Sequence, residues 1–434
     1  MLKPILSPAG EWFQAMAVTK KIERPRLPMS QAELEEAVRR HDMFLSARLG
    51  GQRALLAYRD LSGLDLSGQQ LNDADLTAAF LPAARLVGTN LANATLFACN
   101  LTRADMRGAV LARADLRGAV LRGANLEGAD LFDADLRDGR LGQRVRMGVI
   151  EEVAIEHASS SDLEGARMVN ADLSQAKLSG SLAAHTDFTD AVMRRCKLVR
   201  ADLHNATLNG ANLQGADLSG ANLQGASLRN AILTDTIFHG TEMDGADMAG
   251  VLTQKPAGRR LAELGVPVAE LLLRHERWAN SHGSEGTPLD LSFFDLRDVP
   301  SLAGQCLSAL RAPGAIFVGM TLDGAALQAA QLEGADFRSC CLARADLRGV
   351  KLTAARLTNA DLRDCNLGPL VLPGGRLIVS TLERVEARHV DLRGANLSRA
   401  VMRGADLSAA NLSGAELAGV DLLDAHLAGA TGLP

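Results

Sequence analysis

The sequence predicts a solenoid of very short repeats, built as two modules with a short helix ahead of each. Three observations predict it. A leucine-like residue recurs at every fifth position, without a gap, through Leu101, Met106, Leu111, Leu116, Leu121, Leu126, Leu131, Leu136 and Leu141. Two positions before most of these centres stands a very small residue, such as Ala104, Ala109, Ala114 or Gly139, and Asp, Asn, Arg, Ser and Gly fill the remainder. Finally, His41-Asp42-Met43-Phe44 ahead of one set of repeats is matched by His275-Glu276-Arg277-Trp278 ahead of another. A period of five fits neither the 3.6 of a helix nor the 2 of a flat strand, and self-similarity at a fixed period marks a repeat architecture.

Units such as Ala114-Asp115-Leu116-Arg117-Gly118 and Ala124-Asn125-Leu126-Glu127-Gly128 resemble the pentapeptide-repeat family, whose unit is Ala-(Asp/Asn)-Leu-x-x. The resemblance covers roughly residues 60 to 430. It implies an all-β fold, a right-handed quadrilateral β-helix with four units per coil, so that residues twenty apart stack. Periodicity by itself assigns only inward and outward roles. Leu116 and Leu136 then stack inside beside Ala114 and Ala134. A large residue in the small slot would overpack its neighbours.

In chain order, residues 1–29 form a non-repeat basic arm, in which Lys3, Lys20, Lys21, Arg24 and Arg26 outweigh Glu11 and Glu23 and only Trp12 and Phe13 are bulky. Residues 30–52 hold a cap helix and loop. Ser30 and Glu33 form a capping-box pattern, Leu34, Val38, His41 and Leu45 make an apolar stripe, and Gly50-Gly51 is the stop. Such a helix would cover the raw edge of the first coil. Residues 53–253 form the first solenoid. Its centres run from Leu61 to Leu141 as seventeen units and again from Leu163 to Met248 as eighteen, with Ala183 the weak one. The irregularity at 142–160 reads as two extra residues held in a bulge or small loop. Residues 254–288 form a linker and a second cap helix, entered at Pro267 and striped by Val268, Leu271, Leu272, His275 and Trp278. Residues 289–434 form the second solenoid, which slips by one near Leu296 and runs from Phe317 to Leu427, mildly interrupted by Pro369, Pro373 and Gly374-Gly375. The duplicated helices predict two solenoids rather than one uninterrupted rod.

Composition narrows the function. Apolar residues make up 47% of the 434 but aromatics only 3%, so the interior is lined with Leu and Ala. A net charge of -5 is too mild to imply nucleic acid or membrane as a partner. Cys99, Cys196, Cys340 and Cys365 fall in the small inward slot, which argues against a disulfide framework and for a reducing, cytoplasmic setting. No apolar run approaches 18 residues. Ala15-Met16-Ala17 imitates a signal cleavage site, but Glu11 and Pro8 interrupt the apolar core it would need.

Nucleophile-elbow, phosphate-loop and zinc-protease motifs are absent from the sequence, so the expectation is no enzyme and no cofactor. Glu164, His185 and His204 would stack on one face, but His185 sits one position out of column, and the trio reads as solvated surface rather than a metal site. Some members of the resembled family bind DNA gyrase through a long acidic surface that imitates DNA. This chain interleaves its acids with Arg, stacks opposite charges at Arg107/Glu127 and Arg363/Glu383, and carries Arg103, Arg122 and Arg140 on one face. The expected function is therefore a non-catalytic scaffold for an unidentified protein partner. Alternatives are a secretion-linked effector or adaptor and a gyrase-binding DNA mimic. The candidate contact for an acidic partner is the corner of Lys177, Arg194, Arg195, Lys197 and Arg200. The candidate homodimer surface is the last coil, at Leu412, Leu417, Leu422 and Leu427, which no closing helix follows.

Overall fold

Two backbone hydrogen bonds, repeated along the chain, make the fold. At a typical rung the Leu116 N–H donates to the Asp135 carbonyl at 2.8 Å, and the Asp135 N–H donates to the Ala114 carbonyl at 3.0 Å. The result is a parallel bridge between Asp115 and Asp135, and such bridges recur at intervals of twenty residues in four columns offset by five. The computed structural model describes residues 26–139, 141–144, 150–153 and 160–433. Most of the basic arm, with Trp12 and Phe13, lies outside the described residues, as do Arg140 and Pro434. The chain divides into two compact units, with the boundary between Leu252 and Thr253.

In the first unit, β1 (Leu27–Pro28) pairs in parallel with β2 (Arg59–Asp60) below the first rung. Between them, α1 (Gln31–Leu45) starts at Ser30, whose side chain and that of Glu33 form a reciprocal capping box. The helix ends at Leu45, short of Gly50-Gly51, because Ala47 already turns left-handed at φ 51°. It buries Leu34, Val38 and His41 against the first core. The fully buried His41 ring accepts the Ala54 N–H at Nδ1 (3.1 Å), and its Nε2 lies 2.9 Å from the Asn72 carbonyl. One histidine thus ties the helix to two points of the first coil.

Each column then holds nine rungs, for example Leu55, Asp75, Thr95, Asp115, Asp135, Lys177, Lys197, Asp217 and Ile237. At about 4.8 Å per rung this unit stacks to roughly 40 Å. Inward centres and small residues are almost wholly buried, including Leu116, Leu136, Ala114 and Ala134. The corners are tighter than the sequence suggests. Many are turned by non-glycine residues in the left-handed region, such as Ala78 (φ 52°), Arg103 (φ 56°) and Arg195 (φ 54°). That conformation costs an L-residue roughly 1–2 kcal/mol. It is held because the corner N–H is also paired, as from Arg103 to the Arg122 carbonyl at 2.9 Å.

The irregularity after Leu136 is larger than a two-residue bulge. Asp162 bridges Val120, forty-two residues away instead of twenty, so twenty-two residues leave the coil and the solenoid continues directly above. Part of that excursion is an antiparallel hairpin of β3 (Leu141–Arg144) and β4 (Ile150–Val153). Leu141 is therefore a hairpin residue and not a seventeenth centre. Continuing the register would have placed Arg146 and Glu151 at inward positions, where unpaired charge is prohibitive.

The second unit starts with β5 (Arg259–Arg260), which pairs in parallel with β6 (Phe294–Asp295). Between them lie a 3-10 turn (Leu261–Leu264) and α2 (Val268–Asn280). Leu261, Leu264, Leu271 and Leu272 pack on the second core. His275 is fully buried, and its Nδ1 accepts the Leu289 N–H at 3.0 Å, as His41 accepts that of Ala54. Each histidine stacks on the aromatic ring three residues later, Phe44 or Trp278, at 5.9 and 5.6 Å. The one-residue slip appears as a twenty-one-residue step from Asp290 to Arg311. Phe317 and Phe337 stack 4.5 Å apart inside, one coil above the other.

This unit also extrudes a hairpin, β7 (Leu370–Val371) with β8 (Leu377–Ile378), so Lys351 bridges Thr381 thirty residues on. Its base lies so close over Gly349 that a Cβ there would abut Leu370 and Ile378 at 3.0 and 3.1 Å. Both excursions return through a buried serine in the small inward slot. Ser161 Oγ accepts the Gly118 N–H at 3.0 Å and lies within reach of the Leu116 and Arg137 carbonyls. Ser380 Oγ accepts the Gly349 N–H at 3.0 Å and faces the Leu347 and Gly368 carbonyls. Each N–H also keeps its main-chain acceptor on the coil above, Gly118 on the Arg137 carbonyl at 3.0 Å and Gly349 on the Gly368 carbonyl at 3.3 Å, so the hydroxyl adds a second link across the seam.

Ser161→Ala and Ser380→Ala should therefore each lower stability by about 0.5–1.5 kcal/mol, the net worth of a hydrogen bond, because the N–H keeps its carbonyl acceptor and only the hydroxyl link is lost. Leu116→Ala should cost about 2–5 kcal/mol. Urea unfolding monitored by circular dichroism measures all three. Serine variants as stable as wild type would show that the splice is satisfied by other groups.

Candidate interaction surface

The outward faces carry a recurrent ion pair. A bridge-position Asp holds the Arg two residues later, as where Arg107 Nε and Nη2 meet Asp105 at 2.8 and 2.7 Å. The same fork recurs at Asp115–Arg117, Asp135–Arg137, Asp346–Arg348, Asp361–Arg363 and Asp391–Arg393. In the second unit Asp295–Arg297 and Asp336–Arg338 are nearly buried versions. The Asp also accepts the main-chain N–H two residues on, as Asp115 Oδ1 does from Arg117 at 3.2 Å, so that Oδ1 takes Nε as well and Oδ2 faces Nη2. The Arg107 hydrogen bond holds the Asp105 carboxyl below its ordinary range despite partial burial. Where the unit lacks its own Asp, the Arg reaches an acid on the next coil: Arg122 to Asp162, Arg229 to Asp247 and Arg403 to Asp421.

Charge therefore pairs within a unit as well as between coils, and Arg107 and Arg363 both fork onto the Asp of their own unit rather than relying on the vertical stacking expected with Glu127 and Glu383. Arg107 forks onto Asp105, while Glu127 takes Arg167 at 3.3 Å. Arg363 holds Asp361 at 2.7 Å and Asp391 at 3.7 Å. A spacing of two puts both side chains on one turn, with less freedom to lose than two chains reaching between coils. The recurring Asp-Leu-Arg triplet was the sequence signal for this arrangement.

Arg194 departs from it. Its unit reads Val192-Met193-Arg194, and the next residue up its column is Asn212, so neither acid is present. Its Nε is shut off from solvent without a hydrogen-bond partner. Arg194 and Arg195 line a groove of about 600 Å³ with Phe132, Asp172, Ser174, Gln175, Gln214, Gly215 and Asp235. The Arg195 stem lies across Gly215, where a Cβ would stand 3.4 Å from its Cγ. The other members of the predicted basic corner lie outside this lining. Lys177 and Lys197 are successive rungs of the adjacent column, between Asp135 and Asp217, and Lys177 Nζ is 3.0 Å from Asp133. Arg200 sits exposed on the following turn.

At the C-terminal end, Leu417, Leu422 and Leu427 are half-buried, but Leu412 is fully buried. Its N–H donates to the Thr431 carbonyl at 2.9 Å, and Leu433 packs against the same core. Leu412 therefore cannot form part of an open end. A second groove, about 930 Å³, lies beside α1 and includes Met29, Phe44, Leu55 and Leu56. His185 and His204 meet edge to face at 5.3 Å, His204 Nδ1 is 2.8 Å from Asp202, and Glu164 is taken by Arg122. Among the described residues no group of three His, Cys, Asp or Glu is placed to hold a metal. Burial raises the thiol pKa of Cys99, Cys196, Cys340 and Cys365. No helix among the described residues is long and apolar enough to cross a membrane.

A family model described as pentapeptide repeats matches in eight copies, at residues 99–138, 159–195, 171–210, 186–225, 211–250, 330–368, 388–424 and 405–431. Among solved structures the chain is similar to HetL, a pentapeptide-repeat protein involved in heterocyst differentiation regulation in the cyanobacterium Nostoc sp. strain PCC 7120. The identity is 26% over 74% of this chain and 89% of that one, with a TM-score of 0.25. It is similar to Rfr23 from the cyanobacterium Cyanothece 51142 at 33% identity, over 32% of this chain and 88% of that one, with a TM-score of 0.17. It is also similar to QnrB1, a plasmid-mediated fluoroquinolone resistance protein, at 20% identity over 50% and 94%, with a TM-score of 0.22. No curated protein matches the chain.

The two settings of the Asp–Arg fork should differ in worth. Arg338 and Asp336 are only 6% and 11% exposed, so Asp336→Asn removes the counter-charge of a buried cation and should cost about 3–5 kcal/mol. Asp105→Asn breaks a pair whose Arg is half exposed and should cost less than about 1 kcal/mol. Chemical denaturation of the two variants checks the contrast. Equal losses would mean that burial does not set the value of the fork.

Proposed function

This chain belongs to the pentapeptide-repeat family, and from that premise we propose that it is a non-catalytic scaffold whose faces bind another protein. The observation that supports this reading is the uninterrupted ladder of outward side chains, nine rungs deep in each column of the first unit. Such a surface offers area and rigidity, while fold alone names no chemistry. Its coils form a right-handed quadrilateral β-helix, and α1 and α2 act as caps that keep the first rung of each unit from pairing with strangers. Buried free cysteines suit a reducing, cytoplasmic setting.

A DNA-like surface would need unpaired acids in file, whereas forks such as Asp105–Arg107 and Asp115–Arg117 neutralise the carboxylates locally. Affinity capture from native lysate, followed by titration of the purified partner, tests the scaffold reading. The expected result is a saturable complex and no effect on gyrase supercoiling. Stoichiometric capture of gyrase, with inhibition, would replace the reading by DNA mimicry.

The same reading includes self-association through the final coil, now restricted to Leu417, Leu422 and Leu427, whose apolar side chains are only half covered. Light scattering across a concentration series should show a dimer that Leu422→Arg with Leu427→Arg converts to a folded monomer. A wild-type monomer at every concentration would mean that the tail around Leu433 closes the end by itself.

A further inference from the structure

We propose that the groove built on Arg194 and Arg195 grips the carboxylate side chains of an acidic peptide segment in a partner protein. The proposal rests on the scaffold reading and specifies where, and by what chemistry, the partner is held. Its starting point is an exception. Arginines in the first turn position repeatedly have an acid two residues earlier or on the next coil, as Arg117 has Asp115 and Arg229 has Asp247. At Arg194 the first position is Val192 and the second is Asn212. Its Nε is buried and unpartnered, a condition that costs free energy unless something else supplies an acceptor. The loss is built into the sequence rather than caused by distortion, because the surrounding rungs pair normally, with Arg195 N–H on the Gln214 carbonyl at 2.9 Å.

The groove also has the other parts of a carboxylate site. A second guanidinium, Arg195, runs over Gly215, whose missing side chain leaves it room. The amides of Gln175 and Gln214 and the Ser174 hydroxyl stand along the lining, suited to the main chain of an extended peptide. Two acids share the wall. Asp172 is engaged by the Ser174 N–H at 2.8 Å, and Asp235 has interactions of its own. Their charge favours a flexible peptide, which can place its carboxylates beside the arginines, over a nucleic-acid backbone of fixed phosphate spacing. A planar guanidinium fork matches a carboxylate in two parallel hydrogen bonds. Lys197, exposed on the adjacent column, and Arg200, exposed on the following turn, would steer acidic chains toward it.

The deciding variant returns Arg194 to the pattern of this chain's forked units. Val192→Asp supplies the internal partner that other units have, and so should close the site without deleting any cation. Fluorescence anisotropy with a fluorescein-labelled peptide of alternating Glu and Gly, titrated with the full chain, should show saturable binding that weakens with salt. Val192→Asp and Arg194→Gln should each weaken it by roughly tenfold, the loss of one charge-assisted pair, with thermal melting monitored for each. If Val192→Asp does not fold, Arg194→Gln decides alone. Binding that fails to saturate, or that either folded variant leaves unchanged, overturns the proposal. So does displacement of the peptide by duplex DNA or inorganic phosphate at lower concentration than by unlabelled peptide. A native partner captured equally by wild type and both variants would leave the scaffold reading standing and remove the groove from it.

Discussion

Both units depend on the pairing of each bridge residue and its neighbour with the coil twenty residues away. That pairing satisfies the backbone at the faces and, through the left-handed residues, at the corners. It leaves side chains only two destinations: a narrow interior that takes Leu beside Ala, or solvent. The outward Asp then serves twice, one oxygen accepting both the turn N–H and the Arg Nε and the other accepting Nη2. Fold and surface electrostatics are thus set by one five-residue pattern.

Much of this was legible because the pattern is strict. Leu116 and Ala114 announce their roles by spacing, and the His41 and His275 segments announce each other by resemblance. What was not legible depended on geometry that a period does not contain. The twenty-two residues that leave the coil after Leu136 looked like a two-residue slip because spacing is read modulo the repeat: a missing whole coil is invisible. Only the charged Arg146 and Glu151, at what would be inward positions, hinted at the departure. Leu412 looked terminal because the sequence does not say that Thr431 pairs back over it.

The candidate site shows the same division. Arg194 and Arg195 were visible as charge, together with Lys177, Lys197 and Arg200, but charge alone did not separate them. The structure divides the five among a groove, a flat column and a separate turn. It distinguishes Arg194 by what is missing around it, Val192 and Asn212 standing where other units place acids. The signal was present in the sequence as a broken Asp-Leu-Arg triplet, but it gains meaning only once intact triplets are seen to be closed ion pairs.

The serine returns have a consequence for how such a chain can change over generations. At Ser161 and Ser380 the coil closes over an excursion whose length is independent of the repeat, twenty-two residues in one unit and ten in the other. Neither the rungs below nor those above register the difference. A lineage could therefore lengthen, shorten or exchange either hairpin by insertion or deletion at one point, provided that a small residue returns the chain to the inward slot. The solenoid would act as an inherited chassis, and the hairpins as the parts free to diverge.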